Sequence, residues 1–148
     1  MSYSLPSRRD AYVENSARSQ TYPLHTDEDV VRLRKAVREL AIEIGLSLVD
    51  QTKAITAASE LARNTLRYAG SGEVRIELLS NGLDRGLRVT FTDRGPGIPD
   101  LQLALTDGFT SGGGLGLGLG GAKRLVDDFS IDTRVGEGTT VVITKWKR

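Results

Sequence analysis

The sequence predicts an α+β two-layer sandwich, a mostly antiparallel sheet with helices packed against it. Three observations predict it. Two amphipathic helical patterns come early, at about 26–44 and 50–68. Alternating strand patterns follow, largely in hairpin order, at 73–79, 87–93, 129–135 and 139–146. No internal repeat or interior linker divides the 148 residues, a length that suits one domain.

The elements follow in chain order. Residues 1 to 20 are polar, with Arg8, Arg9, Asp10 and several serines, and are expected to form a mobile arm ahead of one domain spanning 21 to 148. Residues 19 to 24 could add a short strand. The first helix starts at Thr26, where Thr26 and Asp29 make a near capping box and Asp27 and Glu28 favour the helix dipole. Val30, Leu33, Val37, Leu40 and Ile44 form its apolar stripe, and Gly45 is a natural stop. Asp50 is the expected cap of the second helix, whose stripe is Ile55, Ala58, Ala62, Leu66 and Ala69. Glu60 and Asn64 lie one turn apart, roughly opposite that stripe.

After Gly70-Ser71-Gly72, Val74, Ile76 and Leu78 point inward from an alternating strand, and Asn81-Gly82 through Gly86 reads as a hairpin loop. The next strand alternates Leu87, Val89 and Phe91 with Arg88, Thr90 and Thr92. Pro99 suits the first position of a short helix over 99–106. The glycine segment then runs into a helix over about 119–128, and two last strands are joined by Gly136-Glu137-Gly138-Thr139.

Composition removes several function classes. Lys+Arg 20 against Asp+Glu 19 gives a net charge of +1, so there is no electrostatic case for nucleic acid or an anionic membrane. No cysteine is present, which excludes disulfides, thiolate metal sites and a cysteine nucleophile. The single histidine, His25, leaves little room for a histidine-based triad and none for a multi-histidine metal site. No apolar run has the length of a membrane span, and the N-terminus lacks the apolar core of a signal peptide, so a cytoplasmic location is expected. The 17 glycines are uneven: eight fall between 108 and 121, a concentration that a core does not require.

Four groups of residues could carry chemistry. Asp93 falls on the Leu87/Val89/Phe91 side of its strand, where a carboxylate is costly unless it is hydrogen-bonded. Gly95-Pro96-Gly97 follows it and lets backbone approach a ligand. Asp93 is therefore either a pocket acceptor or the opener of an Asx-type turn. The segment from Ser111 to Gly121 exposes backbone N–H groups ahead of a helix, which suits phosphate. It contains the string of the dinucleotide fingerprint without the preceding strand, and Lys123 after Ala122 fails the Walker pattern. Glu60 and Asn64 can hold a base beside a hard cation, or can simply sit on a solvated helix face. Thr139 alone could merely start a strand. The order is specific: Glu-x-x-x-Asn on a helix, Asp-x-Gly-x-Gly after a strand, a glycine loop before a helix, then Gly-Thr opening a strand.

In that order the chain resembles the GHKL ATPases, the superfamily of gyrase B, Hsp90, MutL and histidine-kinase ATP-binding domains, over about residues 20–148. Ser59 to Asn64, Asp93 to Pro99, Asp107-Gly108-Phe109, Lys123-Arg124-Leu125 and Lys145-Trp146 resemble more closely the small serine/threonine kinases of bacterial sigma-factor pathways, of the stressosome switch type. The resemblance implies a Bergerat-type ATP-binding fold with ATP and Mg²⁺ as cofactors. It implies that Asn64 ligates Mg²⁺, that Glu60 is the general base on a protein hydroxyl, and that Asp93 accepts from the adenine amino group. It implies that Gly95 and Gly97 shape the adenine pocket and that Thr139 supports adenine. Gly114, Gly116 and Gly118 match lid glycines within a phosphate-wrapping run of Gly112, Gly113, Gly114, Leu115, Gly116, Leu117, Gly118 and Leu119. The implied partners are a STAS-domain substrate and, in addition, a PP2C-type phosphatase or a sigma factor. The alternative is a binding module, an anti-sigma factor that sequesters a sigma subunit. Neither the helical phosphoacceptor domain of a histidine kinase nor the transducer domains of gyrase- or Hsp90-type machines are expected, since no stretch of the sequence is left for them.

Overall fold

The computed structural model describes residues 1–4, 12–13 (backbone only), 19–106 and 118–147. The elements are β1 (Ser2–Ser4), β2 (Tyr12–Val13), β3 (Gln20–Leu24), α1 (Asp27–Glu43), α2 (Leu48–Ala69), β4 (Gly72–Ser80), β5 (Arg85–Asp93), α3 (Leu101–Ala104), α4 (Gly118–Arg124), β6 (Asp128–Arg134) and β7 (Gly138–Trp146). They form the α+β sandwich that the sequence predicts. One seven-stranded sheet runs β1-β6-β7-β5-β4-β2, with β3 also paired to β4, and each pairing is antiparallel. Two short segments of the expected arm, β1 and β2, hydrogen-bond to β6 and β4.

The core lies between one sheet face and the helices. Strand parity selects that face: Val74, Ile76 and Leu78 of β4, Leu87, Val89 and Phe91 of β5, Phe129 and Ile131 of β6, and Val141 and Ile143 of β7 are all buried. Leu33, Val37, Ala58, Leu61 and Ala62 meet them from α1 and α2.

Several element boundaries differ from expectation. Helix α2 begins earlier, because Ser47 Oγ accepts from Asp50 N at 3.1 Å and Ser47 is the cap instead of Asp50. Its buried arc is also wider than one stripe. Ala54, Ala57, Leu61 and Thr65 are buried beside Ile55, Ala58 and Ala62, because α2 packs on α1, the sheet and α4 at once. Helix α3 is one turn capped by Asp100, so Pro99 precedes the helix instead of opening it. Helix α4 stops at Arg124, because Asp127 is recruited to β7, where its Oδ2 accepts from Trp146 N at 2.7 Å.

Candidate active site

Helix α2 crosses the ends of β5 and β7 and leaves a cleft of about 680 Å³. Its walls include Glu60, Asn64, Asp93, Gly97, Gly118, Leu119 and Thr139, seven residues that the sequence singles out from four separate segments. Gly112, Gly113, Gly114, Leu115, Gly116 and Leu117 lie outside the described residues, as does Asp107-Gly108-Phe109.

Strand register builds one end of the cleft. Asp93 and Thr139 are directly paired residues of β5 and β7, so two groups 46 positions apart in sequence become neighbours. Asp93 is half-buried, lines the cleft and opens a turn. Its Oδ1 accepts from Gly95 N at 2.8 Å, which is the Asx-type turn. Its Oδ2 has no hydrogen-bond partner among the described residues, and Asp93 lines the cleft. Gly95 and Gly97 make the turn possible from behind. A Cβ on Gly95 would stand 2.5 Å from the Ala69 Cβ of α2, and one on Gly97, at φ +77°, would stand 2.5 Å from Arg134 O. Both glycines therefore serve close protein packing that fixes the pocket wall.

Thr133 is the residue that sequence reasoning missed. It is 2% exposed and is the Cα partner of Thr139 across β6–β7. Its Oγ1 contacts Thr139 Oγ1 at 2.8 Å and accepts from Ile98 N at 2.9 Å. One hydroxyl thus ties the strand carrying Thr139 to the loop after Asp93. The available signal was parity, since Thr133 extends the inward series Phe129, Ile131.

Glu60 and Asn64 occupy the other end. They are not on a freely solvated helix face: the Glu60 side chain is 15% exposed and Asn64 is half-buried, both on the cleft wall. Arg63 joins them, its Nη1 3.2 Å from Glu60 Oε1, and Arg67 lines the wall one turn further on. The Asn64 amide has no side-chain partner among the described residues. A carboxylate, an amide and two guanidinium groups on one helix face can together orient a hydroxyl, ligate a cation and neutralise phosphate. Among the described residues no cluster of three or more His, Cys, Asp or Glu side chains could hold a metal by itself. No described helix is long and apolar enough to cross a membrane.

Comparison with known proteins bears on the family and the fold. Residues 49–148 match the model of the histidine kinase-, DNA gyrase B- and HSP90-like ATPase family. The chain is 46% identical over 123 residues to the serine/threonine-protein kinase RsbT of Bacillus subtilis (strain 168), covering 83% of this chain and 92% of that protein. It is 28% identical over 138 residues to the anti-sigma F factor of Bacillus licheniformis, covering 90% of this chain and 93% of that one. Among solved structures, the RsbU and RsbW domains of Rv1364c from Mycobacterium tuberculosis superpose with a TM-score of 0.59 at 22% identity, over 87% of this chain and 33% of that one. The mycobacterial sensor histidine kinase MprB superposes with a TM-score of 0.52 at 23% identity, over 87% of this chain and 99% of that one. At those identities the two structures speak for the shared fold.

Proposed function

The chain belongs to the histidine kinase-, DNA gyrase B- and HSP90-like ATPase family, and from that premise we propose that it is an ATP- and Mg²⁺-dependent serine/threonine protein kinase of a partner-switching signalling pathway. Its substrate in this reading is a hydroxyl on a STAS-domain protein. The observation that carries the reading is the convergence of Glu60, Asn64, Asp93 and Thr139 on one cleft, with an unsatisfied acceptor at one end and a carboxylate–amide pair at the other.

The residues suit the nucleotide. The cleft volume is that of a site for a ligand of this size. Asp93 Oδ2 offers the acceptor that an adenine amino group requires. Asn64, whose amide has no side-chain partner among the described residues, would hold a magnesium ion. When bound there, Mg²⁺ neutralises charge on the phosphates being separated. Asn64 would hold the cation, Asp93 and Thr139 would fix the base, and Glu60 would take the proton from the attacking hydroxyl as its oxygen bonds to the γ-phosphorus and ADP leaves. Phosphoryl transfer asks for positioning and charge neutralisation more than covalent chemistry, which matches this set of groups. Glu60 Oε1 accepts from Arg63 Nη1 at 3.2 Å, and an incoming hydroxyl would compete with that contact.

Incubation with labelled ATP and a STAS-domain partner tests the proposal. Wild type transfers label, and Glu60→Ala reduces the rate by roughly 10²–10⁴-fold while leaving nucleotide binding in place. No transfer by wild type, or unchanged transfer by the variant, overturns it. The likeness to the anti-sigma F factor favours a second reading, binding and sequestration of a sigma subunit. A stable complex with a sigma subunit, formed equally by Glu60→Ala, would support it. A PP2C-type phosphatase is the further partner to try in the same assay.

A further inference from the structure

The hydroxyl of Thr133 is buried, touches no part of the cleft wall's open surface, and yet bonds to both segments that would hold the base. It has one proton and two lone pairs. Ile98 N donates to it at 2.9 Å and so uses one lone pair. Two acceptors compete for its proton: Thr139 Oγ1 at 2.8 Å and Gly138 O at 3.4 Å. Either threonine can donate across the 2.8 Å contact; because 3.4 Å is long for an O–H···O bond, the arrangement that gives the buried Thr133 proton a good acceptor is donation to Thr139. In that arrangement Thr139, which lines the cleft, keeps its own proton to offer there.

This fixes a polarity. Thr139 becomes a donor toward the cleft, and its strand neighbour Asp93 is an acceptor through Oδ2. Acceptor and donor stand side by side at the spacing of adjacent strands. An adenine edge carries the complementary pair, an amino donor next to a ring-nitrogen acceptor. A hypoxanthine or guanine edge carries the reverse, a carbonyl next to a ring N–H, and would be opposed at both positions. The backbone of Thr133 is itself held on its outer side, where its N donates to Met1 O at 2.8 Å and its O accepts from Met1 N at 2.9 Å. The hydroxyl is therefore anchored from the strand edge as well as from the loop.

We propose that Thr133 is a specificity-determining positioning residue, which selects adenine over 6-oxopurines by setting the donor direction of the Thr139 hydroxyl. The inference rests on the reading of the cleft as an ATP site. Calorimetric titration of ADP and inosine diphosphate into wild type, Thr133→Val and Thr133→Ser tests it. Valine keeps the shape and removes the hydroxyl, and serine restores the hydroxyl. The preference for ADP over inosine diphosphate narrows about tenfold in Thr133→Val, the equivalent of one hydrogen bond, and returns in Thr133→Ser. An unchanged preference in Thr133→Val overturns the proposal. If Thr133→Val does not melt as a folded protein, Thr139→Val removes the other hydroxyl of the pair. The same narrowing is then expected, and an unchanged preference overturns the proposal equally. Wild type binding neither nucleotide would overturn the ATP reading itself. Wild type preferring ADP, with both variants unaltered, would overturn only the role of Thr133.

Discussion

At the scale of single residues, Asp93 has two oxygens with two duties. Oδ1 closes the turn on Gly95 N, and Oδ2 is left as the free acceptor of a residue that lines the cleft. Asparagine at this position separates the duties. Its amide oxygen can keep the turn, while its NH₂ puts a donor in place of the acceptor that a base amino group would meet. Asp93→Asn is therefore expected to fold with near wild-type thermal stability and to weaken ADP binding by about 10–100-fold, the loss of a charge-assisted hydrogen bond. Calorimetry checks the affinity and a thermal melt checks the fold; unaltered affinity would contradict the assignment of Asp93 as a base acceptor. Glu60 and Arg63 invite a different judgement. Their ion pair is half open to solvent on the arginine side, so it contributes little to stability and yields readily to an incoming group.

At the scale of elements, local chemistry in the sequence was legible where one segment decides the outcome. The capping box of α1 forms as expected: Asp29 Oδ2 accepts from Thr26 N at 3.1 Å and also from His25 N at 2.8 Å. The backbone bond from His25 is the main reason that the Asp29 carboxyl sits below its ordinary pKa, with Thr26 and the Arg32 guanidinium assisting against the effect of burial. A lowered carboxylate pKa stabilises the fold above the ordinary carboxylate range, and that contribution disappears as pH falls through the lowered value. Asp29→Asn should therefore be less stable than wild type at neutral pH, with the gap closing below about pH 4. Urea titrations at neutral and acid pH measure it; a gap independent of pH would contradict a hydrogen-bonded carboxylate as its source. Strand parity was equally legible, since it needs only alternate residues: it placed Leu87, Val89, Phe91 and the cleft-side Asp93 correctly. Pairing between distant segments was not legible. Nothing local in Gly138-Thr139 reports that Thr139 lies beside Asp93, because register is set by the whole hairpin stack. Parity could have put Thr133 on the inner face, but its pairing with Thr139 was hidden for the same reason, and the width of the buried arc on α2 was missed because three neighbours share that helix.

At the scale of the whole molecule, the cleft stands on β5 and β7, strands with neighbours on both sides, with α2 laid across their ends. Groups on such elements keep their geometry better than groups on loops. The opposite end of β7 fastens this frame. Trp146 is buried against Gly86, where a Cβ would stand 2.7 Å from the indole ring, so the tryptophan and a glycine sixty positions earlier fit as a pair. Lys145 points to the other face and is 6% exposed. Its Nζ lies 3.5 Å from Asp50 Oδ1 near the start of α2 and 3.5 Å from Asp127 Oδ1 at the entry to β6. A single ammonium group thus joins the helix that carries Glu60 and Asn64 to the strands that carry Thr139 and Thr133. Removing one member of a buried ion cluster strands the others, which costs more than the cluster contributes to stability. Lys145→Met should accordingly destabilise the protein by roughly 3 kcal/mol in equilibrium denaturation. Adding Asp50→Asn to Lys145→Met removes one stranded carboxylate and should recover part of that loss, because the two sites are coupled. Additive losses in the double variant would show that Lys145 and Asp50 act separately, and that α2 is held over the sheet by apolar packing alone.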